Sequence, residues 1–209
     1  QGLGDVAPVE GADALVVVHG VEDAVRETGR RALMQPDAVG VGDGLTGEGA
    51  DEVFGGYDIF KEAKVRRFWA RQPGSTLRPK LLGRLYGYLE NSPVSNPAFA
   101  ESFFGQGLEH IERAIFAHVP RWTSSQRALN FLAPELRASV GSRNALDWYE
   151  QHLPADIMRW APLSRDQYVE AKSLLAAYLL AAQGDRVAAA NSIEGRVPYL
   201  DHRVIEFGN

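Results

Sequence analysis

The sequence contains no cysteine. That excludes disulfides, thiolate nucleophiles and cysteine-bound zinc. No apolar run approaches the length that a membrane-spanning helix needs, and the N-terminus lacks the basic-then-apolar layout of a signal peptide. Positive charge is outnumbered, with 22 Lys and Arg against 27 Asp and Glu and a net charge of −5. Nucleic acid, which calls for a basic face, is therefore not an expected partner. The five histidines show no metal-ligand spacing, and no internal repeat or low-complexity segment is present. These absences point to an ordinary globular chain with a cytoplasmic home. Its 209 residues, 45% hydrophobic and 23% charged, make one domain large enough to bury a core.

The most informative stretch is Thr46-Gly47-Glu48-Gly49-Ala50-Asp51-Glu52-Val53-Phe54-Gly55-Gly56-Tyr57. Gly47 and Gly49 carry no Cβ, so the backbone can turn tightly there and approach a bulky ligand. Backbone N–H groups in such a turn make an anion-binding concavity. Three acids beside it would repel phosphate unless Mg2+ intervened, since Mg2+ takes one or two carboxylates plus phosphate oxygens. The competing reading is an acidic surface turn entering a helix at Ala50, with Asp51 and Glu52 favoured by the helix dipole.

Residues 1–43 are the least informative. Ala14–His19 reads as a short buried strand, Val25–Met34 as a basic helix and Gln35–Gly44 as a loop. The run Val39–Leu45 is a poor strand. From Ala50 a helix is expected in which Phe54, Tyr57 and Lys61 share a face, stopped at Pro73. Leu81, Leu82, Leu85, Tyr86 and Leu89 are spaced as a helix. So are Phe99–Phe104 and Leu108-Ile111-Ile115, the latter broken at Pro120. Further helices are expected over Ser124–Phe131, Pro134–Val140 and Ser142–His152. Ser164-Arg165-Asp166-Gln167 fits a capping box that opens a helix. Its stripe of Leu175, Tyr178, Leu179 and Ala182 ends at Gly184 as the helix-terminal glycine. Asp201 is placed to cap a last helix. Trp69, Trp122, Trp148 and Trp160 read as packing residues.

The Thr46–Tyr57 stretch resembles the second ATP-site motif of the glutamine-dependent asparagine synthetases. A second block, Gln183-Gly184-Asp185-Arg186-Val187 through Asn191-Ser192-Ile193-Glu194-Gly195-Arg196-Val197-Pro198-Tyr199-Leu200-Asp201-His202-Arg203, is similar to a later motif of that family. The connecting segments Ala117–Trp122 and Phe131–Arg137 are also family-like. The resemblance covers residues 45–209, treated as a synthetase-like domain, and fits residues 1–44 poorly.

The resemblance implies an α/β fold, mostly helical in this chain, as part of an adenine-nucleotide α-hydrolase-like parallel-sheet domain with an added helical region. It implies an ATP-dependent carbon–nitrogen ligase that adenylates aspartate and then transfers to it ammonia derived from glutamine. Glu48 takes the place of the family glutamate implicated in forming the acyl-adenylate. Thr46, Gly47 and Gly49 match nucleotide-contacting positions, and Asp51 matches an aspartate that holds Mg2+ against the phosphates of ATP. Glu52 reads as structural. Asp185 with Arg186, and Glu194 with Arg196, read equally as buried ion pairs or as ligand contacts.

The family's Ser-Gly-Gly phosphate loop, its cysteine-bearing glutaminase domain and its late catalytic lysine have no counterpart in this sequence. The chain thus resembles a synthetase domain cut at both ends, and alone it is expected to make no asparagine. The glutaminase domain would be a partner outside this chain, and a homodimer is left open. Two other readings stand beside this one. The first is a related amide- or lactam-forming amidotransferase of the β-lactam or lasso-peptide type, although the β-lactam-forming relatives carry Tyr at the position of Glu48. The second is a non-catalytic helical remnant.

Overall fold

A computed structural model describes residues 42–86, 95–141 and 144–208. The strand expected over 14–19 and the helix expected over 25–34 lie outside the described residues. Among the described residues the architecture is mostly helical, with one small parallel sheet.

That sheet joins two distant pieces of chain. Strand β1 (Gly42–Leu45) pairs in parallel with β2 (Ile193–Arg196), in the register Gly42↔Ile193 to Leu45↔Arg196. The Thr46 N–H donates to the Arg196 carbonyl at 3.0 Å and carries the ladder one residue further. Over Gly42–Leu45 this corrects the loop reading and the poor-strand reading; the rest of those two stretches lies outside the described residues. Two glycines in four residues give no side-chain pattern, but strand formation depends on the partner more than on local preference. The partner lies about 150 residues away, beyond the reach of a local reading.

Helix α1 (Ala50–Phe54) follows the glycine turn directly. Gly55, at φ +67°, ends it in the left-handed conformation that glycine adopts without steric cost. Helix α2 (Asp58–Ala70) then begins, so Phe54 and Lys61 sit on two helices where a single one was expected. The chain continues through a 3₁₀ stretch (Arg78–Arg84) and α3 (Pro97–Phe104), which Asn96 caps by accepting from the N–H groups of Ala98 and Phe99.

Leu108–Ile115 is not an amphipathic helix. After Gly105 and Gly107 (φ +69°) only a three-residue 3₁₀ turn, Leu108–His110, forms. Ala114–Pro120 then threads the interior, every residue buried. A buried thread must find partners for its backbone, and Arg66 of α2 supplies one within it and two in the chain just before it. Its Nε donates to the Phe104 carbonyl at 2.8 Å, and its two terminal nitrogens donate to Phe116 and Gln106 carbonyls at 2.6 and 2.7 Å. The guanidinium also stacks on the Phe116 ring, 4.2 Å from its centroid. Burial pulls the Arg66 pKa down to about 10, with the nearby Glu62 carboxylate opposing the fall. On the other side, Glu150 accepts from the Ala114 N–H at 2.8 Å.

Pro120 opens a helix here and does not break one. It lies in the first turn of α4 (Val119–Gln126), where proline's missing N–H costs nothing. A 3₁₀ turn (Arg127–Phe131), α5 (Pro134–Val140) and α6 (Ala145–Gln151) follow close to expectation, Asn144 capping α6.

Helix α7 (Pro162–Glu170) starts two residues before Ser164. The capping box therefore does not form: the proline takes the first turn, and Gln167 bonds elsewhere. From Ala171 to Asp185 the helix continues with the wider i→i+5 turns of a π-helix, and the Arg186 N–H reaches the Ala181 carbonyl. It returns to α-helix in α8 (Arg186–Ala190). Gly184 is thus interior and ends nothing. The wider turn also dissolves the expected stripe, for Leu175 is buried while Tyr178 is exposed. Asp201 does cap the last helix, α9 (His202–Gly208), accepting from the Arg203 N–H at 2.9 Å.

Three apolar clusters form among the described residues. Trp69, Leu82, Ala100, Phe104, Leu108 and Phe116 form one, Ile59, Phe60, Ala63 and Ala117 another, and Ile115, Val119, Leu146 and Val169 a third. Trp122 and Trp160 pack edge-on against Tyr149 and Tyr168. Trp148 departs from expectation and lies 62% exposed. No described helix is long and apolar enough to cross a membrane.

Candidate functional site

The glycine turn leaves β1, crosses residues 46–49 and enters α1, so backbone continuity alone brings the five expected site residues together. Thr46 stands at the end of the strand. Its backbone is fixed to Arg196, whereas its Oγ1 is buried with no hydrogen-bond partner among the described residues. Gly47 is exposed, and a Cβ there would meet nothing within 4 Å. Glu48 is half-buried in the turn.

Gly49 is different. It is buried at φ +90°, and a Cβ there would lie 2.2 Å from Leu200 Cδ2 and 2.7 Å from Leu200 Cγ. Both the torsion and the space demand glycine. Asp51 is exposed in the first turn of α1, its carboxylate folded back toward Gly56, where a Cβ would come within 2.0 Å of Oδ1.

The second block encloses this turn. β2 pairs with β1, Leu200 fills the space against Gly49, and Tyr199 meets Phe54 edge-on at 6.2 Å between centroids. A Cβ on Gly208 of α9 would lie 2.8 Å from Val53 Cγ1. Glu194 and Arg196 do pair, at 3.0 Å, but in the open, with more than half of each side chain exposed. Asp185 and Arg186 are both exposed, so the buried pair expected there is not formed. The π-helical turns carry both outward.

Behind α1 lies a layer of buried charge. Glu52 is 3% exposed. Burial raises its pKa, while backbone donors and the Tyr57 hydroxyl act the other way. The Tyr57 hydroxyl is itself held well above its ordinary range by burial and by the Glu52 charge. Glu170 of α7 lies against His118 Nε2 at 2.5 Å. Arg67 grips Asp166 through two bonds of 2.6 and 2.7 Å, and Arg121 grips Glu62 through two of 2.5 and 2.6 Å. Bidentate pairs of this kind fix orientation as well as charge.

Sequence reasoning missed Gln167. Its Nε2 donates to the Glu52 carbonyl at 2.9 Å and to the Val53 carbonyl at 2.8 Å. It also missed Leu200 as the neighbour of Gly49, although both motif blocks contained the clue. Among the described residues no group of three His, Cys, Asp or Glu could enclose a metal ion. A cavity of about 400 Å3 lies elsewhere, between α4 and α6, lined by Trp122, Leu129, Leu146 and Tyr149.

Residues 36–208 match the asparagine synthase family along most of the chain. The chain belongs to that family. Among curated proteins, it is similar to a "Putative asparagine synthetase (glutamine-hydrolyzing)" of Mycobacterium bovis and one of Mycobacterium tuberculosis. Each is 30% identical over 164 residues, covering 77% of this chain and 22% of the relative. It is also similar to the amidase chry2 of Gibberella zeae, at 27% identity over 202 residues, covering 87% of this chain and 27% of the relative. This asparagine synthase family chain thus spans about a quarter of the length of these relatives or less. No solved structure matches it.

Proposed function

We propose that the chain carries the nucleotide end of an ATP-dependent asparagine synthetase, which adenylates aspartate and passes ammonia from glutamine to it. One observation carries the reading. Two family blocks separated by more than a hundred residues assemble around a single turn, Thr46 bonded to Arg196 and Gly49 closed by Leu200. A surface turn would not need a distant segment built against its glycine.

In this reading Thr46, Gly47 and Gly49 receive the nucleotide. The open space over Gly47 suits close approach of a phosphate, and the buried Thr46 hydroxyl has a hydrogen bond to give. Asp51 holds Mg2+ that arrives with ATP. The site fits a substrate-borne ion better than a resident one: Mg2+ keeps waters and phosphates and needs only one or two carboxylates. Glu48 acts at the acyl-adenylate stage, positioning the incoming amine and taking its proton. β1 and β2 are read as two strands of an adenine-nucleotide α-hydrolase-like sheet, within a synthetase-like unit over 45–209. The glutaminase that releases ammonia is a domain outside this chain.

Related chemistry on another carboxylate is the second reading, favoured by the resemblance to proteins named amidases. Both readings are tested in the full-length protein by supplying ATP, Mg2+ and ammonia with candidate acids. Formation of AMP and pyrophosphate that requires aspartate supports the first. AMP formation that ignores aspartate but follows another acid supports the second, and no AMP with any acid contradicts both.

A further inference from the structure

The motif helix α1 has five residues and no side-chain cap at its N-terminus. A helix this short does not hold itself together, and the last carbonyls of any helix lack partners within it. Two of those carbonyls, Glu52 and Val53, receive the side-chain amide of Gln167, more than a hundred residues away. Gln167 comes from a firmly held part of α7. The preceding residue, Asp166, is 1% exposed and locked to Arg67, and Glu170, one turn later, is buried against His118.

We propose that Gln167 is a positioning residue for the glycine turn: its two hydrogen bonds set where α1 sits, α1 carries Asp51 in its first turn, and the turn that bears Glu48 runs directly into it. An amide suits this task because one NH2 group offers two donors to two adjacent carbonyls without placing charge among the neighbouring buried acids. Over five residues at about 1.5 Å each, a shift at the Val53 end passes to the Asp51 end with little damping. A displacement of about 1 Å at a reacting group is enough to cost a large factor in rate. The inference rests on the adenylation reading for its turnover measurement only.

The test uses the full-length protein with Gln167→Glu, which keeps the size and removes both donors, and Gln167→Lys, which restores donors and suits a helix C-terminus. Hydrogen exchange is read at the amides of Val53, Phe54 and Gly56, and AMP formation is measured in parallel. With Gln167→Glu, exchange at those amides should quicken about tenfold, the size expected for one or two lost hydrogen bonds, while α2 and α4 stay protected. AMP formation should lose about tenfold in kcat/KM, with kcat falling as the turn that bears Glu48 shifts and the KM for ATP rising as Asp51 shifts. Gln167→Lys should recover most of both. Unchanged exchange at α1 in Gln167→Glu overturns the proposal, and so does loosening spread equally over α2 and α4. Should Gln167→Glu not fold, Gln167→Met, uncharged and of similar length, is read the same way. If the unmodified protein forms no AMP, the adenylation reading fails on its own and exchange at α1 still decides the role of Gln167.

Discussion

Around α1 the chain is held by close backbone approach, whereas around the 114–120 thread it is held by buried charge. At the first place the essential atoms are missing ones. Gly49 has no Cβ where Leu200 sits, and β1 meets β2 through a parallel backbone ladder. At the second place Arg66 spends its whole guanidinium on three carbonyls, and Arg67 and Arg121 close bidentate pairs with buried acids. The helical body is therefore rigid and chemically occupied. The motif turn is shaped just as firmly but leaves open space above Gly47 and keeps Glu48 and Asp51 at the surface side. The contrast separates a scaffold from a place where a ligand can enter.

The largest expected effect falls on the scaffold. Arg66→Met strands two buried carbonyls and a partly buried third and should cost about 3–5 kcal/mol, enough to unfold a marginal chain. Arg66→Lys should recover little, because an ammonium cannot span three acceptors in the plane that the guanidinium does. Thermal or urea unfolding reads both. A loss under about 1 kcal/mol, within the range of an ordinary surface change, would remove Arg66 from the scaffold.

The next effect falls within the turn and sets two glycines against each other. Gly49→Ala forces a left-handed torsion on alanine and drives its Cβ into Leu200, for a cost of about 2 kcal/mol. Gly47→Ala meets open space and should leave stability within about 0.5 kcal/mol while weakening ATP binding. Equal melting temperatures for the two variants would show that the Gly49–Leu200 contact is not tight in solution.

A smaller effect concerns pH. Burial raises the pKa of both Glu52 and Glu62, the Arg121 guanidinium opposing the rise at Glu62. A carboxyl with a higher pKa folded than unfolded binds its proton more readily in the folded chain. Its stabilising contribution is present below the ordinary value of 4.5 and is lost as pH rises through the folded value. Glu52→Gln should therefore raise the melting temperature at pH 8 by about 2–4 °C, the shift for roughly 1 kcal/mol in a chain of this size. At pH 4 the gain should vanish. An equal gain at both pH values would mean that Glu52 does not titrate between them.

Much of this contrast was visible in the residues and some was not. The glycine turn, the helix at Ala50, the Asp201 cap and α5 could all be read, because each depends on neighbours within a few residues. The parallel pair could not, since Gly42, Gly44 and Gly195 offer no side chain to alternate. Nothing local marks Arg66, Arg67, Glu62 or Asp166 as buried, and only the folded chain shows that their partners lie up to 99 residues away. Gln167 had a plausible local partner and took a distant one. Gly184 stood where a helix could end, but the π-helical turns ran through it. At the site, position could be read from the motif, whereas what presses on it from behind could not.

The central claim is that Glu48 acts in the chemistry while Asp51 serves Mg2+-ATP. The most direct measurement is AMP formation by full-length Glu48→Gln beside ATP binding by the same protein. Gln keeps the shape and removes the base, so turnover should fall about 10²–10⁴-fold, the contribution of a positioned acid–base group. ATP should still bind nearly as well, whereas Asp51→Asn should lose Mg2+-ATP affinity first. Near-normal asparagine formation by Glu48→Gln would contradict the account and return Glu48 to the role of a turn residue.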